Sequence, residues 1–170
     1  MKNTKKTIKM LVVAMAIVCA SPMVFSATTV TGTFTPTSSG ISIACNKTAP
    51  TFGDIALGAN AENTSFNVTN EGATNCSVKM TAGEGAGTWT LVAGTASPAT
   101  TNQYCINVNP NASGYVDAQA EQTISSDLPP AGIAWNYTHF DLKVFVSEYT
   151  NEGAPEEQTF YANLTAAEIT

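Results

Sequence analysis

Apolar and polar residues alternate along almost the whole body of this chain, and no stretch holds apolar residues at i, i+3, i+4 and i+7 for three turns. A period of two puts successive side chains on opposite faces of an extended backbone, so one face can be buried while the other stays in water. GISIAC sets Ile41, Ile43 and Cys45 on one face. SFNVTN turns Phe66 and Val68 inward, CSVKM turns Cys76, Val78 and Met80 inward, and YCINV offers Ile106 and Val108. HFDLKVFV alternates Phe140, Leu142, Val144 and Val146 with His139, Asp141, Lys143 and Phe145, and TFYANL adds Phe160, Ala162 and Leu164. FGDIALG and TWTLV supply two shorter runs, and Gly, Pro, Asn and Asp fill the gaps. The pattern predicts about eight or nine short strands separated by turns. The fold class expected from it is all-β, an antiparallel immunoglobulin-like β-sandwich, with a closed barrel as the alternative. The Phe140 strand is expected at the centre, paired with the terminal strand that carries Phe160. The long gap at 109–132 is expected to hold a loop and one strand near EQTIS.

The first 26 residues read differently. MKNTKKTIK is a cationic start, MLVVAMAIVCA an apolar run too short to span a bilayer, and Val24 and Ser26 lead to a small-residue cleavage site. Residues 1–26 therefore read as a secretory signal peptide, and the chain as secreted to the cell surface with no direct membrane span. Cys19 as a lipidation site is the competing reading, weakened by the bulky Val18 before it.

Charge narrows the partners. The chain has no arginine, and four of its seven lysines lie in the first nine residues. Lys47, Lys79 and Lys143 then stand against thirteen acidic residues. Nucleic acid needs clustered cations, so it is not an expected partner.

Residues 27–40 form a segment of their own. TTVTGTFT alternates, with Val30, Gly32 and Phe34 on one face. Pro36 ends it, and Thr37-Ser38-Ser39-Gly40 makes a flexible joint before the sandwich proper at 41–170. Two readings follow. In one the segment is the first strand of its own sheet. In the other it is a hinged donor strand that completes the sheet of a neighbouring copy.

VTGTFTPTSSGISIAC, FGDIALG, and FNVTNEG followed by CSVKM together resemble a plan found in secreted surface β-sandwiches, including spore-coat-U-like pilins and TasA-like or archaeal bundling pilins. The closing LKVFVSEYTNEGAPEEQTFYANLTA resembles their last hairpin. The resemblance covers most of the chain after residue 26. It implies a non-enzymatic subunit of a filament or pilus, polymerised with copies of itself by donation of the N-terminal strand. The alternative function is a monomeric cell-surface module that binds a ligand or carbohydrate.

Three cysteines remain after the signal segment. Cys45 closes one inward face and Cys76 opens the next, so a Cys45–Cys76 disulfide is expected among the three open pairings, with Cys105 left over. Closing that loop contributes about 3.5–4 kcal/mol in the chain-entropy model. With one histidine and no C-x-x-C, neither a metal nor a cofactor is expected. His139 and Asp141 fall on one strand face, but no G-x-S-x-G accompanies them, so the chain is not expected to be an enzyme. Trp89 is expected to pack. Trp135, near the proline-rich loop, is the candidate for stacking on a sugar ring, and the acidic NEGAPEE is expected as a solvated hairpin tip. Seven asparagines open N-x-S/T sequons. Asn46, Asn63, Asn67, Asn111, Asn136 and Asn163 are candidate N-glycosylation sites, and surface glycans are candidate partners. Asn75, beside Cys76, is the least suited.

Overall fold

The computed structural model describes residues 27–38, 41–148 and 157–169, with side chains in the first strand described only at Thr31 and Gly32. The expected signal peptide and most of the NEGAPEE turn lie outside the described residues. The described chain is all-β, and its strands form two sheets packed face to face. One sheet runs in the order β3 (Thr51–Ala56), β1 (Ala27–Ser38), β11 (Glu157–Glu168), β5 (Cys76–Glu84), β9 (Gln122–Leu128). The other runs β2 (Ile43–Cys45), β4 (Asn60–Asn70), β10 (Tyr137–Val146), β7 (Gln103–Pro110), β6 (Thr90–Leu91), with β8 (Val116–Asp117) also paired to β7. The gap at 109–132 thus holds β9 over EQTIS, as expected, and the short β8 as well.

The facing expected from the alternation is the facing found at most positions; Cys45 is only half-buried, and in β7 Cys105 and Asn107, on the face opposite Ile106 and Val108, are buried as well. Phe66, Val68, Cys76, Val78, Met80, Ile106, Val108, Phe140, Leu142, Val144, Val146, Phe160, Ala162 and Leu164 are all buried, while His139 is exposed. Phe66 and Phe140 stand opposite in register, and their rings stack with centroids 4.9 Å apart. Trp89 is buried, as expected.

Pairing differs from expectation in two respects. β10 does not pair with the terminal strand, because its two flanks are taken by β4 and β7, both antiparallel. β11 belongs to the opposite sheet, between β1 and β5, so β10 and β11 do not pair as a hairpin. The sheets are also not wholly antiparallel: β1 runs parallel to β11, and β6 parallel to β7.

Asn70 of the VTNEG stretch closes one end of the sandwich. Its fully buried amide donates to the carbonyls of Thr74 (2.8 Å) and Leu128 (3.0 Å), and its Oδ1 accepts from the Gly72 N–H (2.9 Å). An asparagine can satisfy several backbone groups at once, which keeps the turn after β4 free of orphaned buried atoms.

The expected Cys45–Cys76 disulfide is not formed, and Cys45, Cys76 and Cys105 are free thiols. Cys76 is fully buried in the sheet of β1 and β11. Cys45 ends β2 in the other sheet, where its Sγ donates to the Lys47 carbonyl instead of facing a partner sulfur. Burial raises all three thiol pKa values, that of Cys105 to about 11.

Candidate functional site

The segment expected to be a donor strand lies, in this single chain, inside its own sandwich. β1 occupies a slot between β3 and β11, antiparallel to the first and parallel to the second. Both partners are remote in sequence, and no hairpin fixes β1 in place. Along β11 a backbone ladder runs from Thr29 opposite Glu157 to Ser38 opposite Ala166. On the other side Ala27 to Thr31 face Ala56 to Thr51. This ladder shifts register between Thr29 and Thr31, where β3 bulges and Gly53 adopts φ 64°. The left-handed region suits glycine at such a bulge. Beyond the bulge the Gly32 N–H donates to the Pro50 carbonyl at 2.8 Å, and the Thr31 hydroxyl donates to Glu157 at 3.4 Å.

Gly32 is the constrained position. It stands opposite Phe160 in register and is buried. A Cβ built on Gly32 would fall 2.3 Å from Phe160 Cζ and 2.7 and 2.8 Å from the two Cε atoms. The Phe160 ring therefore lies over the bare backbone of β1. It cannot swing aside freely, because it is itself buried and packs at a tilt on Phe52, with centroids 6.0 Å apart. The next residue repeats the device on the outer face: Tyr161 covers Gly83 of β5, where a Cβ would meet the ring at 2.2 Å. Glycine inside a strand marks such close approaches. Val30 and Phe34 pair through their backbones with Gln158 and Ala162, but their side chains lie outside the described residues.

The other candidate residues are scattered. His139 is exposed, and Asp141 accepts the Ser65 N–H at 2.9 Å. Lys143 ion-pairs with Glu62, and its ammonium lies 4.2 Å from the centroid of the Tyr115 ring. Burial, then the negative charges of Glu62 and Asp141, push the Tyr115 hydroxyl up to about 12. Trp135 is 75 % exposed at φ 73°, an uncommon conformation for a bulky residue, and its ring is 6.3 Å from that of Tyr137. Ile133 is also exposed beside them.

Among the sequon asparagines, several side-chain amides are engaged. Asn46 donates to the Ser65 carbonyl, Asn63 to Thr51, Asn75 to Asp127, Asn111 to the Ile124 carbonyl and Asn136 to the Asn70 carbonyl. Asn67 is half-buried, and its N–H donates to Asn46 Oδ1. Asn163 is exposed on the outward face of β11.

Alternation marks TTVTGTFT as a strand but does not give its neighbours, and the expected end at Pro36 is wrong: β1 continues through Pro36, opposite Leu164, to Ser38, opposite Ala166, because β11 alongside keeps the backbone extended. The glycine in the middle of TVTGTFT is the one signal of a close approach. Its partner cannot be found without knowing that β11 lies alongside. Compared with known proteins, the chain matches no family model and no curated protein.

Proposed function

We propose that the protein is a non-enzymatic, secreted structural subunit of a cell-surface filament, and that copies join by exchange of β1. The observation that carries this reading is the slot between β3 and β11. A strand held there by a backbone ladder to remote segments makes the same hydrogen bonds whether it comes from its own chain or from another. Exchange of an identical element costs little in contact energy, because the interface is the intramolecular contact set. A chain that donates β1 and receives a neighbour's makes head-to-tail contacts, which produce an open filament when the rotation does not close. The closed single chain is then the form before assembly, with β1 protecting edges that would otherwise invite uncontrolled pairing. Size exclusion and negative-stain imaging of the exported chain test the reading. Fibres or a ladder of oligomers support it; a strict monomer at high concentration contradicts it.

A second reading, a carbohydrate-binding module, is favoured by the exposed Trp135–Tyr137 pair. The loop that carries it is pinned by hydrogen bonds between Asn136 and Asn70 in both directions, at 2.8 and 3.1 Å. Retardation of the chain in native gels containing neutral polysaccharide, lost in Trp135→Ala, would support that reading in place of polymerisation.

A further inference from the structure

We propose that Gly32 and Phe160 form a register lock that selects which strand the slot accepts, making the chain's own segment 27–38 from a second copy the fitting partner. The inference rests on the strand-exchange reading. The slot floor at this level is an aromatic ring lying where the side chain of an incoming strand would be. Any residue other than glycine brings a Cβ within 2.3 Å of Phe160 Cζ. The ring is wedged against Phe52, so it cannot yield cheaply. A strand shifted by one or two residues places threonine or a larger side chain under the ring: Thr31 and Thr33 flank Gly32, then Val30 and Phe34. Gly32 is the only glycine between residues 27 and 38, so one register alone is admitted. Unrelated edge strands without a glycine at that level are refused, which is discrimination by a built-in clash.

The lock predicts rescue between two damaged chains. Gly32→Ala spoils the donor but keeps a normal slot. Phe160→Leu removes the ring atoms that Gly32 faces, leaving a normal donor and a slot with a gap that a methyl group fills. Each variant alone should assemble far less than wild type, by sedimentation and by imaging. Mixed in equal amounts they should assemble again. The methyl-bearing strand of the first variant fits the widened slot of the second, and the unaltered strand of the second fits the unaltered slot of the first. Near-infrared and green labels on the two variants should alternate in the same fibres. If wild type assembles but the mixture does no better than either variant, the lock is wrong and strand exchange stands. If wild type does not assemble, both are wrong. The double variant in one chain is the second arm. It should recover assembly lost in Gly32→Ala, and a double variant as impaired as Gly32→Ala would overturn the lock even where a single variant folds poorly.

Discussion

β10 and β1 are both long alternating strands placed inside a sheet, yet they are held in different ways. β10 is flanked by β4 and β7, and its inward residues Phe140, Leu142, Val144 and Val146 are all fully buried. The Phe66–Phe140 stack ties it to β4. Side-chain packing decides its position. β1 also has a neighbour on each side, but where its side-chain packing is described it meets β11 through a glycine under a ring. Backbone hydrogen bonds on both flanks and that one steric fit are the described part of its hold. A strand of the first kind cannot leave without dismantling the core. On the proposed reading, a strand of the second kind is replaced by an identical copy.

The largest effect should come from breaking β10. Phe140→Ala should cost about 3–5 kcal/mol, as for a fully buried aromatic. Denaturant unfolding checks this, and a loss below about 1 kcal/mol would remove the distinction between the two strands.

Tyr104 probes the contact between the sheets. It lies on β7, 1 % exposed, and its hydroxyl donates to the Thr159 carbonyl of β11 at 3.0 Å. Burial first, and the charge of Glu84 second, push its pKa from 10.0 to about 12. The folded state holds this proton after the unfolded chain has lost it. The associated stability is present below about pH 10 and is lost as pH rises towards 12, a change of about 2–3 kcal/mol. Unfolding measured across that window should fall steeply in wild type and less steeply in Tyr104→Phe.

Gly32→Ala should cost about 1–3 kcal/mol through overpacking against Phe160. Hydrogen exchange should show the loss concentrated in β1 and β3, with β10 still protected. Uniform loss across both sheets would mean that β1 is as integral to the core as β10. The smallest effect belongs to the outer face of β10: His139→Ala should cost under about 0.5 kcal/mol.

Much of this is legible in the sequence, and the limit has a physical reason. Alternation assigns faces, because a one-residue slip would turn Phe140 or Phe160 to solvent. It does not assign neighbours: the ladder hydrogen bonds are the same whichever strand lies alongside. The pattern therefore faces the Phe140 strand correctly, while the pairing expected with the terminal strand is wrong. The Cys45–Cys76 expectation fails similarly, since inward facing in adjacent runs does not bring two sulfurs to bonding distance. Asn70 is visible only as part of a short motif; its role at the sandwich end depends on Leu128, far away in sequence.

On the proposed reading, β1 crosses between chains on assembly. Thr29 and Asp54 face each other across β1 and β3, so Thr29→Cys with Asp54→Cys places a cross-link at that seam. Assembled material would be oxidised, denatured and run on a non-reducing gel, with each single variant as a control for the three native thiols. Strand exchange predicts a covalent ladder that collapses to one band on reduction. A cross-link closed within single chains, giving one monomer-sized band from assembled material, would contradict it.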